Sequence, residues 1–426
     1  MEKQLYENYL TILKTELVPA LGCTEPIALA YAAAKARSVL GEFPERMHVL
    51  CSGNIIKNVK GVKVPNGADM KGVEAAAVLG AVGGNADRAL EVLESVAEAD
   101  RETARKLLRE GVCTCSLKEN VPNLFIEVTA EAAGHSARVR IENGHTNITE
   151  ILRDGETVYA KGAETAAQAV DKSRLNLRDI IAFADEVKME DVAPILSRQV
   201  EYNLAISDEG LKNPWGAQIG RLALENGNIT KWRAIARAAA GSDARMGGCS
   251  MPVIINSGSG NQGMTCSLPV IEVARALGKT DEELYRALCV SNLAAQDQKR
   301  YIGALSAYCG VTCAAAGAGA AVTYLKGGTP EQVENTVINA IATIGGMVCD
   351  GAKASCASKI YAALQSAFLA HEMAMQDIVF EHGDGLVMDT AEDTVKAVGY
   401  VGRVGMKRTD VEILNLMIGK TQVSDC

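Results

Sequence analysis

Large rings are scarce in this chain. Aromatic residues make up 4% of its 426 positions, while glycine alone occurs 40 times and alanine is abundant. That balance argues against an aromatic-rich core and for helices whose small residues let backbones approach closely. A basic surplus is missing as well. The formal net charge is −9, which speaks against a general nucleic-acid binder, whose footprint is basic. An anionic substrate therefore needs a local cationic or dipolar pocket. Histidine occurs five times, with no HExxH and no histidine-rich metal motif. The N-terminal "MEKQLYENYLTILKTEL" carries charges throughout and has no apolar signal core, so a cytoplasmic location is expected rather than export. Residues 301–325 hold no charge, yet they are mostly Ala, Gly, Ser, Thr and Cys. They read as one or two buried helices rather than a membrane span. Internal repeats and low-complexity linkers are also absent.

Cysteine, by contrast, is plentiful. Twelve cysteines without a secretion signal are not expected as structural disulfides in a reducing cytosol. Metal binding, catalysis or plain burial remain.

The patterning predicts an α+β fold. Residues 1–44 read as N-terminal helices packing on the catalytic domain. Residues 45–162 read as a small α/β domain, with two helices over an antiparallel sheet. There "LFIEVTAEA", "SARVRIE" and "TNITEILRDG" alternate as strands, with "AAGH" and "NGH" as hairpin turns. Residues 163–426 read as a large all-helical domain, with apolar residues at three- and four-residue intervals. Thr329, Pro330 and Gln332 form an expected N-cap, first-turn residue and N3 partner.

Three constellations bear on chemistry. Cys309 in "AYCGV", with Cys349 and Cys356 around "DGAKAS", could place three thiolates on a [4Fe–4S] cluster and leave its fourth iron open. The alternative is three small residues in a small-residue core. Next, "MPVIINSGSGNQG" offers Ser257, Ser259, Asn261 and Gln262 in a polar loop suited to a carboxylate or phosphate. It matches neither the P-loop nor GxGxxG. Last, "LGCTEPIALA" sets Cys23, Thr24 and Glu25 at the positive end of a helix, where an anion is favoured and a thiol becomes more acidic. Cys23 is thus open to three readings: a thiolate base, a fourth cluster ligand, or part of a helix entry. His135 and His145 fall at hairpin turns and read as surface residues. His382, in "FEHGDG", lies among acidic residues. Lys299 and Arg300, nine residues or so before Cys309, suit either a pair with Asp297 or a substrate carboxylate.

Together "GCTEP", "MPVIINSGSGNQG", "LSAYCGVTCAAAGAG" and "GGMVCDGAKASCASKI" resemble the L-cysteine desulfidase family, a serine-dehydratase-alpha-chain-like group, over essentially the whole chain. The second half is more distantly similar to the catalytic chain of iron–sulfur L-serine dehydratases, which carry "CDP" where this chain has "CDG". The resemblance implies a [4Fe–4S] cluster on Cys309, Cys349 and Cys356, with Cys23 approaching cluster or substrate. It implies a small amino-acid substrate and α,β-elimination without pyridoxal phosphate, releasing sulfide, ammonia and pyruvate from L-cysteine. Cys23 is then the first choice of base. The loop around Ser257, Ser259, Asn261 and Gln262 would hold the carboxylate, with Lys353 or Lys299 as counter-charge. A C-terminal cysteine such as Cys426 can cap the open iron in the serine enzymes. L-serine dehydration, a non-catalytic amino-acid or redox sensor, and a zinc-stabilised helical protein are the rival readings. Neither nucleic acid nor a membrane is an expected partner, and the two-part build leaves surface for a homodimer.

Overall fold

The computed structural model describes residues 1–161 and 170–421; the boundary expected at 162/163 and Cys426 lie outside the described residues. In chain order the first elements are α1 (Lys3–Glu16), β1 (Pro19–Leu21), α2 (Thr24–Leu40), β2 (Arg46–Cys51), α3 (Gly53–Val59), α4 (Val73–Gly83) and α5 (Glu98–Glu110). Strands β3 (Cys113–Leu117), β4 (Phe125–Ala132), β5 (His135–Glu142), β6 (Ile148–Arg153) and β7 (Glu156–Ala160) follow. Next come α6 (Leu177–Glu186), α7 (Met189–Lys212), α8 (Ile219–Leu224), α9 (Thr230–Met246), β8 (Pro252–Ile254), α10 (Gly260–Ala276) and α11 (Asp281–Ile302). The last are α12 (Val311–Leu325), α13 (Pro330–Ile344), α14 (Cys356–Ala374), α15 (Ala391–Tyr400) and α16 (Lys407–Met417). The fold is α+β.

Two hydrophobic cores organise these elements. The smaller joins α2 and α4 to one face of a six-stranded sheet ordered β3-β2-β4-β5-β6-β7. Its neighbours are antiparallel except β2 and β3, which run parallel. The reason is the connection: α3, α4 and α5 lie between them and carry the chain back to the starting edge. Small residues set the spacing of the helices on this sheet. A β-carbon on Gly80 of α4 would stand 2.3 Å from the Ala30 carbonyl oxygen of α2, so only glycine permits that approach. The larger core gathers α6, α7 and α9 to α15.

Residues 1–44 divide between these cores. Helix α1 joins the large one, where Tyr9 meets Phe183 edge-on with ring centroids 5.6 Å apart. Helix α2 is buried in the small one. The uncharged stretch 301–325 breaks between α11 and α12, and no described helix is long and apolar enough to cross a membrane. Helix α13 begins as its sequence indicates, with Thr329 and Gln332 exchanging hydrogen bonds of 3.0 and 3.2 Å.

Candidate active site

A short ribbon assembles the site. Strands β1 and β8 pair antiparallel, Pro19 with Ile254 and Leu21 with Pro252. The chain leaving β1 is "GCTEP" and the chain leaving β8 is the "NSGSGNQG" loop, so pairing sets the two motifs side by side. Thr24 Oγ1 donates to the Gly258 carbonyl at 2.8 Å. The loop itself is a tight turn: Asn256 and Ser259 exchange backbone hydrogen bonds of 3.0 and 3.1 Å, and both Ser257 and Gly258 have positive φ. Buried amides fix its base, with Gln296 Nε2 donating to Asn256 Oδ1 and Asn256 Nδ2 to Asn292 Oδ1, each at 2.9 Å.

The three cysteines come together through backbone pairing. The Cys309 amide donates to the Met347 carbonyl at 2.9 Å and the Cys349 amide to Ala307 at 2.6 Å. Cys356 opens α14, and Cys309 sits just before α12. Two of the thiols thus stand at helix N-termini, where the dipole favours thiolate. Gly351, between Cys349 and Cys356, has φ of +94°. A β-carbon there would lie 2.4 Å from the Lys57 carbonyl oxygen, so the "DGAKAS" loop closes against α3 only through glycine.

All three thiols line a cavity of about 580 Å³ between the two cores. Cys309 and Cys349 lie within hydrogen-bond reach of each other. The Cys349 thiol is held low, first by that hydrogen bond and then by Lys57 and Lys359, against the opposing effect of burial. Burial pushes Cys356 up. Among the described residues, no group of three or more His, Cys, Asp or Glu side chains surrounds one metal-ion position. A four-iron cluster takes each thiolate on a different iron, so what it requires is three thiols on one wall. The donor set fits that requirement, and Lys57 and Lys359 supply positive charge beside it.

The same cavity is lined by Glu25, Ser257, Ser259, Asn261, Gln262 and Lys299. Thr24, Cys23 and Lys353 are not on its wall. Cys23 is enclosed beside Met246, Val62 and Cys356, and burial pushes its thiol up to about 12. Lys353 is engaged by Asp350 at 2.5 Å. His382 pairs with Asp389 on the surface. Arg300 pairs with Asp297 and Glu392, each at 2.8 Å. Lys299, 6% exposed, has no carboxylate partner among the described residues, and burial pulls its pKa down.

Three residues of the cavity were not legible as such. Arg245, 3% exposed, ends α9 and lines the wall. Its Nε donates to the Gly22 carbonyl at 2.9 Å, and no described carboxylate pairs with it. Asn58 of α3 donates to Glu25 Oε1 at 3.0 Å. His145 is a correction: the "NGH" turn points its imidazole inward, and Nε2 is enclosed without a partner. The Asn261 Oδ1, Gln262 Oε1 and Asn58 Oδ1 atoms are also buried and unpartnered. Buried polar atoms in folded proteins are nearly always hydrogen-bonded, and these four border one cavity.

Residues 87–415 match the family model described as serine dehydratase alpha chain. A UPF0597 protein of Lachnoclostridium phytofermentans is 49% identical over 416 residues, covering 97% of this chain and 100% of its own. One from Desulfitobacterium hafniense is 48% identical, with 99% of each chain covered. A third, from Treponema denticola, is 45% identical over 98% of this chain and 99% of its own.

Proposed function

The chain belongs to the serine dehydratase alpha chain family, and from that premise we propose that it is an L-cysteine desulfidase. It eliminates the β-thiol of L-cysteine without pyridoxal phosphate, giving sulfide, ammonia and pyruvate. The observation that carries this reading is the make-up of one cavity. Three thiols suited to a [4Fe–4S] cluster share it with an arginine that no described carboxylate pairs and with amide oxygens lacking a described partner, a set suited to an α-amino acid.

Cys309, Cys349 and Cys356 would hold the cluster. Bound there, it supplies an open iron as Lewis acid for the departing β-sulfur, a soft donor that iron accepts well. The protein's own groups do the rest. Arg245 faces the substrate carboxylate, its plane fixed by the bond to Gly22 and its fit made possible by Gly260. Gly260, Asn261 and Gln262 form the first turn of α10, whose free amides add to that attraction. The Asn261 and Gln262 side-chain oxygens accept from the substrate ammonium, as does the Glu25 carboxylate. Ser257 and Ser259 hydroxyls border the same loop. Lys299 adds positive charge, a role that better suits it than Lys353, whose ion pair with Asp350 holds the cysteine loop. Thr24 positions the turn by its bond to Gly258. Cys23, packed against Cys356, shapes the pocket behind the thiols.

The test is anaerobic reconstitution with iron and sulfide, then side-by-side kcat/KM for L-cysteine and L-serine. The reading expects cluster absorbance, sulfide release, and a preference for cysteine. Absence of a cluster after full reconstitution, or its retention by a Cys309→Ser, Cys349→Ser, Cys356→Ser triple variant, sinks the cofactor assignment. The family description favours one rival, an L-serine dehydratase working by the same elimination. A higher kcat/KM for serine would establish that rival instead.

A further inference from the structure

Among the described residues, nothing covers the outer face of the last helices. Helix α15 runs through a wider turn, Val401–Gly405, into α16. Its inner side is committed. Ser306 Oγ donates to the Gly402 carbonyl at 2.8 Å, and a β-carbon on Gly399 would stand 2.3 Å from Tyr301 Cβ. That side braces the end of α11 and the chain that leads into Cys309. On the opposite side Asp389, Asp393, Lys396, Tyr400, Arg403 and Lys407 are all exposed. They recur at three- and four-residue intervals, the repeat of one helical face. Tyr400 lies near their centre and is 64% exposed, more than any other large apolar side chain among the described residues.

Charge is divided along this stripe. From 376 to 395 the sequence has six carboxylates and no lysine or arginine; from 396 to 409 it has four cations and no carboxylate. Within the chain Asp389 pairs with His382 at 2.8 Å and Asp393 with Lys396 at 3.1 Å. Arg403 and Lys407 form no ion pair among the described residues. At the helical rise per residue, Asp393 and Arg403 stand about 15 Å apart. Salt screens exposed charges over about 8 Å, so the two ends act as separate patches. Both ends carry exposed apolar side chains as well, Leu386 and Met388 at the acidic one, Val404 and Val411 at the basic one. Apolar surface around an exposed tyrosine, rimmed by charge, has the make-up of a protein interface.

The division of charge selects the occupant. A nucleic acid or an anionic membrane suits the basic end and is repelled by the acidic one. A partner that matches both ends carries the same two patches in reverse order, and a second copy turned about a two-fold axis does so. Spacing then sets the register. With the axis over position 398, Asp393 meets the partner's Arg403 and Asp389 the partner's Lys407. Lys396 falls on the ring of the partner's Tyr400, a cation–π contact.

We propose that the chain forms a two-fold dimer through this stripe, with α15 of each copy antiparallel to the other and acidic ends set on basic ends. The interface lies behind the helix that braces the approach to Cys309, and it stands or falls independently of the reaction assigned to the cavity.

Light scattering on the full chain after size exclusion should give twice the chain mass of 45.0 kDa. Two variants each reverse one end: Asp389→Lys with Asp393→Lys, and Arg403→Glu with Lys407→Glu. Alone, each sets like charges against each other across the axis and should run at the mass of one chain. Mixed in equal amounts, the two are complementary and should return to twice that mass. Tyr400→Ser serves if a reversal fails to fold, since its side chain is exposed; it should raise the dimer dissociation constant about tenfold or more. Circular dichroism checks the fold of each. A monomeric wild type, which leaves the stripe to another occupant, overturns the proposal. So does an unchanged dissociation constant in any folded variant, or failure of the two folded reversals to pair when mixed.

Discussion

Breaking the ion pair between Lys57 and Asp410 should loosen the cysteine loop without touching a thiol. Lys57 is 1% exposed and Asp410 15%, and the lysine reaches the Cys349 carbonyl at 3.4 Å. Asn54 Nδ2 also donates to Asp410, at 2.6 Å. One carboxylate on α16 therefore fastens α3 of the small domain, and through Lys57 the loop that carries Cys349. Asp410→Ala leaves a lysine charge buried and uncompensated. Removing one partner of a buried pair costs about 3–5 kcal/mol. At about 2–4 °C per kcal/mol for a cooperative unit of 150–250 residues, melting should fall by roughly 6–20 °C. Replacing both residues tells desolvation from attraction. Lys57→Met with Asp410→Leu removes the charge as well as its partner, and should recover most of the loss. Calorimetry on the two single variants and the double gives the coupling. A change below 1 °C in Asp410→Ala, or a double variant as unstable as the two singles summed, would refute the account.

Three further outcomes are expected of the same molecule. Arg245→Met should lower kcat/KM about 10- to 150-fold, the worth of a charged hydrogen bond of about 1.5–3 kcal/mol, with folding checked by circular dichroism; an unchanged value would remove Arg245 from the carboxylate site. Gly310→Ala should cut turnover more than stability, because its β-carbon would stand 2.6 Å from Gln262 Cδ, a side chain able to swing aside at the expense of the substrate contact; kinetics and melting measured together decide it. The Asp297 carboxyl is pushed up to about 7, first by burial and then by Glu392, against the pull of Arg300. The folded chain thus binds this proton more tightly than the unfolded chain does, so its stabilising effect is full below about pH 4 and lost as pH rises towards 7. Asp297→Asn should flatten that decline, and urea midpoints at pH 5 and pH 8 measure it; equal slopes in variant and wild type would contradict the assignment.

Local rules made much of the fold legible. Hairpins showed in period-two alternation broken by glycine, and α13 in its cap. The motif cysteines and the polar loop could be named as candidates because their neighbours were unusual. What escaped was set by contacts far apart in sequence. Strands of three residues such as "PAL" and "PVI" carry no period, yet their pairing places two motifs together. The bridge between Tyr308 and Val348, which gathers two thiols, leaves no sequence mark either. Arg245 ends an alanine-rich helix and belongs to no motif, so nothing local marks it. His145 on a turn reads as solvent-facing, because turns ordinarily are. That inference fails because the loop after β8 covers a position that a local rule assigns to water.

Helix α1 carries a consequence for biosynthesis. Tyr9 leaves the ribosome well before its ring partner Phe183, which comes 174 positions later (183 − 9). At about 5–20 residues per second, the apolar side of α1 waits roughly 9–35 s for its partner. The residues of the small core, from Leu21 to Ile151, are all synthesised within that interval. The sequence of the small core is therefore complete before α1 can meet the partners that bury it.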